Sequence, residues 1–283
     1  METLTRDNRQ AHPNTTVRDF SSVILLTDFS ETAKNAIKYA IDAFGTDVKY
    51  KLVNAYYART SSATLLDLND MLLKDSEQGL AEELKWIKQQ YPFLKLEIEA
   101  RSVFGNPVDA IEKIAKDEFQ DLVIMGTKGA SGIDAVLFGS TASSVIRNTI
   151  VPVISVPPLF SYNGFKKVVF STDGSTDFKK KAIDPLVKIQ NKFNSEITVV
   201  TIENKGKAID LSAMDLPLEI DKYANLQDSN VALAVTEYCA DEQADLMVVL
   251  PKHHGFFERM FHKSISKELV ELASMPILSL END

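Results

Sequence analysis

Short apolar runs alternate along the chain with segments of helical period. The run at residues 23–26 is apolar throughout, and the apolar positions that follow are spaced i, i+3, i+4, i+7 and i+8: Ala33, Ala36, Ile37, Ala40 and Ile41. This spacing puts one apolar face on a helix, which Ser30 begins with a cap and Gly45 ends. A buried strand followed by an amphipathic helix is the unit of a parallel sheet covered by helices.

Four further segments predict strands in the first half of the chain, at residues 51–55, 94–103, 122–125 and 153–156. The second of these is predicted by alternation, because Leu94, Leu96, Ile98 and Ala100 are separated by polar neighbours. Segments of helical period separate them, one of which begins at Ser140. Five strands with intervening helices predict an open, doubly wound α/β domain. In such sheets ligands bind beyond the carboxyl ends of the strands.

The second half of the chain repeats the first. Residues 23–30 reappear at 168–175, with Thr-Asp-x-Ser after an apolar run in both, and residues 121–125 and 151–156 reappear at 245–249 and 275–280. We therefore predict two tandem α/β domains, each with a five-stranded, mainly parallel sheet flanked by helices. Their expected bounds are 21–158 and 167–283, with a polar tail at 1–20 and a linker at 159–166 that is rich in helix breakers and turn formers.

Composition narrows the class of protein. The chain has 283 residues, 45% hydrophobic and 25% charged, which is typical of folded domains and excludes disordered and disulfide-rich classes. A formal charge of -9 argues against binding to nucleic acid or anionic lipid. The single cysteine, the polar first twenty residues and the lack of a long apolar run make us expect a soluble, cytoplasmic protein without a membrane span.

A glycine-rich motif follows the fourth predicted strand. Gly126, Gly129 and Gly139-Ser140-Thr141 form the pattern G-x2-G-x9-G-[ST]. Glycines let backbone approach a polyphosphate, and a helix start aims N–H groups at anionic oxygens. The alternative is a connection whose glycines only turn the chain, but the third glycine and the Ser-Thr pair favour phosphate binding. We expect Lys128, inside the motif, to be a solvated loop lysine.

The segment Thr27-Asp28-Phe29-Ser30-Glu31-Thr32-Ala33, together with this glycine pattern, resembles the nucleotide-binding branch of the universal stress proteins. The resemblance implies the adenine-nucleotide alpha-hydrolase-like fold and an ATP site. Asp28 would hold the ribose or the base edge, the backbone of Ala55 would meet the adenine, and Gly126 would line the ribose. The phosphates would lie against Gly129, Gly139, Ser140 and Thr141. Asp28 has a second interpretation, because an Asp at a strand end often caps the following helix.

The second half has lost the motif. Leu250, His253 and Lys263 stand where the first half has its three glycines, and only Ser264 matches, at the position of Ser140. Side chains there would crowd a phosphate, so we predict one nucleotide site per chain.

The other candidate groups do not form a pattern typical of a metal site or a catalytic site. His253, His254 and His262 lie close in sequence but lack the spacing of metal ligands, and Cys239 falls on a helix face as a core thiol. No nucleophile with an adjacent general base is visible, so we predict no catalytic residue and no metal ligand.

The sequence thus predicts a cytoplasmic stress-response protein that binds ATP, with Mg2+ held through the phosphates, and acts as a nucleotide-dependent regulator. A slow ATP hydrolase and a ligand-free scaffold remain the alternatives. The final strands of the two halves, at 153–156 and 277–280, are expected to pair antiparallel as an intramolecular pseudo-dimer, because the resembling family pairs this strand across a dimer axis. A homodimer of the whole chain is left open.

Overall fold

The computed structural model describes residues 2–5, 17–57, 65–128, 139–172, 180–202, 216–226, 231–250 and 275–280. The described residues form two compact units. The first unit contains residues 20–57, 65–128 and 139–162, and the second contains residues 2–5, 17–19 and the described residues from 163 onward.

The elements follow the predicted alternation of strands and helices. The strands are β1 (Glu2–Thr5), β2 (Ser22–Leu26), β3 (Lys49–Tyr56), β4 (Glu97–Phe104), β5 (Leu122–Gly126), β6 (Val153–Val156), β7 (Lys167–Thr172), β8 (Glu196–Ile202), β9 (Lys222–Leu226), β10 (Leu246–Val249) and β11 (Ile277–Ser279). The helices are α1 (Glu31–Phe44), α2 (Leu65–Gln90), α3 (Pro107–Asp117), α4 (Ser140–Asn148), α5 (Asp184–Phe193) and α6 (Val231–Asp241).

The sheet of the first unit is parallel throughout, in the order β6-β5-β2-β3-β4. From β2 the chain moves outward to β3 and β4 and then returns to β5 on the other side of β2. This reversal creates a switch point between β2 and β5, where Leu26 lies beside Met125. Open α/β sheets bind ligands at such a point.

Helix α1 forms where its sequence predicts it. The Ser30 side chain accepts a hydrogen bond from the Ala33 N–H at 3.1 Å, and the Gly45 N–H donates to the Ile41 carbonyl at 2.8 Å. All five apolar positions of the predicted face are buried: Ala33, Ala36, Ile37, Ala40 and Ile41. Burial of this face fastens α1 to the sheet and sets the position of the residues just before it.

The second unit repeats the architecture. Its strands run β9-β8-β7-β10-β11, all parallel, and β1 adds to the outer edge antiparallel to β9. The predicted fold class, a mainly parallel α/β sheet of five strands in each half, is confirmed. The strand at residues 2–5 is a difference, because this segment was expected only as part of a polar tail.

One predicted strand begins later than its alternating pattern suggests. The alternation starts at Leu94, but β4 starts at Glu97. The Leu94 N–H instead donates to the Tyr91 carbonyl at 3.2 Å, in the turn that follows α2, and its side chain is exposed. A turn bond replaces the sheet ladder there, and alternation alone does not distinguish the two.

Candidate functional site

A cleft of about 200 Å³ opens at the carboxyl ends of β2, β3 and β5. Its described lining residues are Leu26, Thr27, Asp28, Ala33, Asn54, Ala55, Tyr57, Pro107, Met125, Gly126, Lys128, Thr141 and Ala142. Four of the residues proposed from the motifs are among them: Asp28, Ala55, Gly126 and Thr141. Gly139 and Ser140 directly precede Thr141 but do not line the cleft, and Gly129 lies outside the described residues.

Gly126 ends β5 against the start of α1. A Cβ added to it would lie 2.6 Å from the Thr32 Cγ2 atom and 3.1 Å from the Thr32 carbonyl carbon and oxygen. The first distance is shorter than real Cβ contacts and the second is tight, so any side chain at this position would force Thr32 to shift and weaken the packing of strand against helix. The family resemblance implies that this glycine lines a ribose, and the structure adds a packing role that exists without any ligand.

Asp28 does not cap α1, because Ser30 provides that cap. The Ser30 N–H instead donates to the Asp28 carboxylate at 3.2 Å, which fixes a tight turn between β2 and α1. The Asp28 side chain is exposed and borders the cleft. Of the two interpretations that the sequence left open, helix capping by this carboxylate is therefore not what the structure contains.

Helix α4 begins beside the cleft without a side-chain cap. Gly139 is its N-cap, has extended backbone (φ -62°, ψ 160°) and makes no side-chain capping bond. The Gly139 N–H donates to the Thr127 carbonyl at 2.8 Å, so it does not point to a ligand as the sequence suggested. The first bond within the helix runs from the Ser143 N–H to the Gly139 carbonyl. The N–H groups of Ser140 and Thr141 therefore have no acceptor within α4, which is the usual condition for binding an anion.

Sequence reasoning missed part of the lining. Asn54, a buried amide near the end of β3, donates to the Thr27 carbonyl at 2.8 Å. The sequence signal that could have identified Asn54 is a polar residue near the end of a buried strand. Lys128, expected in solvent, is half-buried and borders the cleft. The chain next to it is held because the Thr127 N–H donates to the Val156 carbonyl and the Thr127 carbonyl accepts from the Gly139 N–H.

Residues 27–30, which we call the site loop, join β2 to α1 at the rim of the cleft. Behind this loop lies Glu83 of α2, whose side chain is almost completely buried. Burial raises the pKa of this carboxyl to about 7, although the nearby Thr27 side chain and Lys34 favour the charged form. The site loop therefore rests on a group that changes charge near neutral pH.

Metal ligands are sparse in this region. Within the described ranges, no group of three His, Cys, Asp or Glu side chains could hold a metal ion, and Asp28 is the one carboxylate among the described lining residues. A divalent cation would need ligands other than this side chain alone, such as phosphate oxygens.

Elsewhere, Cys239 is buried in α6, as its helix face predicts, and burial raises the pKa of its thiol to about 12. Of the residues that replace the three glycines in the second half, Leu250 is described and buried, whereas His253 and Lys263 lie outside the described residues, as do Ser264, His254 and His262. No helix in the described part of the chain is long and apolar enough to cross a membrane.

Comparison with known proteins shows the family to which the part of the chain with the cleft belongs. The model of the universal stress protein family matches residues 20–157, which span the first unit and its cleft. Residues 20–157 belong to the universal stress protein family. Universal stress protein MJ0531 of Methanocaldococcus jannaschii is 29% identical over 142 residues, which cover 48% of this chain and 82% of that protein. Universal stress protein Rv1636 of Mycobacterium tuberculosis is 29% identical over 144 residues, 48% of this chain and 96% of its own.

Solved universal stress protein structures extend the likeness. One from Archaeoglobus fulgidus covers 93% of this chain and 98% of its own, with a TM-score of 0.67 at 18% identity, so the likeness of fold reaches beyond the matched half. A universal stress protein solved in complex with cAMP is 26% identical over 49% of this chain and 98% of its own, with a TM-score of 0.38.

Proposed function

We propose that this universal stress protein binds ATP in the cleft of its first unit and that nucleotide occupancy regulates partner proteins during stress. One observation carries the proposal. Asp28, Ala55, Gly126 and Thr141 come from four separate segments of the chain and line a single cleft at the switch point of the sheet. This convergence is what a nucleotide site in an open α/β sheet requires.

The cleft would hold the nucleoside part of the ligand. Asp28 would accept hydrogen bonds from the ribose or the base edge, and the backbone of Ala55 would meet the adenine, as the family resemblance implies. Ligand pockets typically enclose roughly 300–1,000 Å³. A cleft of about 200 Å³ would therefore enclose part of ATP, and the phosphates would extend past its rim.

The phosphates would lie at the start of α4. Its first N–H groups, at Ser140 and Thr141, have no acceptor within the helix, and Lys128 borders the same cleft. The helix dipole adds a partial positive charge at this end. Mg2+ would be held by the phosphate oxygens. This arrangement explains how an acidic chain can bind a polyanion through backbone groups.

The decisive experiment is calorimetric titration of the whole protein with ATP, alongside the variant Thr141→Glu. An acidic residue in the first turn is favourable for a helix but would repel phosphate, so the variant should stay folded and lose at least about 30-fold in affinity. Ser144→Glu is the matched control, because it places the same charge at an exposed position one turn further from the start of α4 and outside the lining, so it should lose much less affinity than Thr141→Glu. cAMP is titrated in parallel.

The outcomes separate the candidates. Binding of one ATP per chain supports the proposal, and Gly139→Val should lose it while Lys263→Val, at the matching position of the second half, should not. Equal affinity of Thr141→Glu and wild type would move the site elsewhere. Absence of any heat would favour the ligand-free scaffold, and release of phosphate above background would favour the slow hydrolase. The cytoplasmic location stays a prediction.

A further inference from the structure

Helix α2 holds the site loop at three points on one face. Ser76, Gly79 and Glu83 follow the spacing i, i+3 and i+7, which places them on the same side of a helix. We call this side the loop-facing side of α2. Gly79 meets Phe29 of the site loop, Glu83 lies beside Thr27, and Ser76 reaches Thr27 through Asn54.

At the first two points of contact, α2 is held by a hydrogen bond and by close packing. The Ser76 hydroxyl donates to the Asn54 side-chain oxygen at 2.7 Å, and the Asn54 amide in turn donates to the Thr27 carbonyl. Gly79 accommodates the Phe29 ring so closely that a Cβ there would lie 2.6 Å from it. These contacts fix the backbone between β2 and α1, and with it the position of Asp28.

At the third point of contact, the buried carboxyl group lacks well-formed hydrogen bonds. Glu83 is 3% exposed, and neither of its carboxyl oxygens makes a hydrogen bond of normal geometry to any described residue, although the Thr27 side chain is close by. A buried carboxylate without hydrogen bonds or a committed counter-ion is costly, and taking up a proton removes that cost.

The charged groups around Glu83 do not supply a dedicated partner. From α1, Lys34 faces it but forms an ion pair with Glu31 at 2.6 Å, and the negative charge of Glu31 itself opposes ionisation of Glu83. From the site loop, Asp28 also opposes ionisation. A charged Glu83 would add a third carboxylate to this corner, directly behind the residue proposed to hold the ribose.

We propose that proton uptake by Glu83 locks the site loop against α2 and thereby raises the affinity of the cleft for nucleotide. This inference rests on the proposed function for its consequence, but its first step concerns the free protein. With Glu83 neutral, the loop stays packed on α2. With Glu83 charged, water is drawn toward Thr27 and negative charge accumulates behind Asp28. Both effects oppose binding of a polyanion.

The chain contains its own reporter. Trp86, the single tryptophan, lies on α2 one turn after Glu83, with the Lys34 ammonium 5.9 Å from its ring centroid. Because Lys34 faces both groups, charging Glu83 should draw this ammonium away from the ring. Tryptophan fluorescence of the ligand-free protein is therefore titrated from pH 5 to pH 9 in wild type, Glu83→Gln and Glu82→Gln. Glu82 is the matched control, since it is exposed on the same helix and accepts a hydrogen bond from Gln78.

The wild type and Glu82→Gln should show a fluorescence transition near neutral pH that Glu83→Gln lacks. ATP affinity should fall about fivefold more between pH 6 and pH 8 in the first two proteins than in Glu83→Gln, which corresponds to a shift of about one pKa unit on binding. Titration of the phosphates of ATP itself is common to all three proteins and cancels in this comparison.

Two results would overturn the inference: a transition that persists in Glu83→Gln, or the same pH dependence of ATP affinity in Glu83→Gln and wild type. If no protein binds ATP at either pH, the proposed function fails, and with it the effect on affinity. The fluorescence titration then decides by itself whether Glu83 controls the site loop.

Discussion

Phe29 has a left-handed backbone, with φ of 64°, a conformation that bulky side chains rarely adopt. Two contacts hold it. The Phe29 N–H donates to the Thr27 hydroxyl oxygen at 2.9 Å, and its ring covers Gly79. Strain of this kind persists only where the surroundings determine the conformation, and here it lies at the rim of the proposed nucleotide site.

Gly126 yields a prediction about stability at the same scale. Gly126→Ala should lower the free energy of unfolding by about 1–3 kcal/mol, because the new methyl group would overlap Thr32. Urea denaturation measures the change. Adding Thr32→Ser removes the 2.6 Å contact but leaves the carbonyl at 3.1 Å, so it should restore part of the loss. A Gly126→Ala protein as stable as the wild type would show that the strand end can shift freely.

Glu83 predicts how stability changes with pH. The pKa of its carboxyl is about 7 in the folded protein, against 4.5 without burial, so the folded state holds the extra proton between these values. The stabilisation is complete below about pH 4.5 and is lost as the pH rises through 7. Glu83→Gln removes the titration and should raise the free energy of unfolding by about 2 kcal/mol at pH 8, with little change at pH 5. Urea melts at both pH values measure this, and an equal effect at both would contradict it.

At the scale of elements, the contact between α2 and the site loop predicts that the effect of Gly79→Ala on stability changes sign when the Phe29 ring is removed. Gly79→Ala should destabilise the wild type, because the new Cβ would lie 2.6 Å from the Phe29 ring. In a Phe29→Gly background the ring is absent, so the same change should stabilise by about 0.5–1 kcal/mol through helix propensity. Denaturation of the four proteins forms a double-mutant cycle. Equal effects of Gly79→Ala in both backgrounds would mean that ring and helix are not coupled.

The helices and strands also show which of their features the sequence pattern could predict. The caps and buried face of α1 were predictable, because Ser30, Gly45 and the helical period act over neighbouring residues. The start of β4 was not, since a turn bond at Leu94 competes with the sheet and leaves the same alternation. Local signals determine the type of an element better than its first residue.

At the scale of the whole molecule, strand β1 predicts a role for the first residues of the chain. It pairs antiparallel with β9, from Glu2 beside Asn225 to Thr5 beside Lys222, and so covers the edge of the second sheet. An uncovered edge invites association with other strands. Deletion of residues 2–5 should therefore increase self-association, measured by light scattering during size-exclusion chromatography, without changing ATP affinity in the first unit. An unchanged monomer fraction would show that this edge needs no cover.

Two statements about the whole chain stay predictions. The pairing of residues 153–156 with 277–280 as a pseudo-dimer follows from the family resemblance. The loss of the second nucleotide site follows from the sequence at Leu250, which is described and buried, and at His253 and Lys263, which lie outside the described residues. Titration stoichiometry tests the second, and cysteine cross-linking between the two strands would test the first.

The sequence by itself determined the class of fold, the duplication, the order of the strands along the chain and the glycine motif, because periodicity and repeats are properties of the chain alone. Only the tertiary structure decided that Gly126 packs on Thr32, that the Gly139 N–H is already bonded, and that Lys128 and Asn54 join the cleft. Glu83 is the clearest case. In the sequence it is one of many charged residues on a long helix, and only the packing of α2 against the site loop turns it into a buried group that titrates near neutral pH.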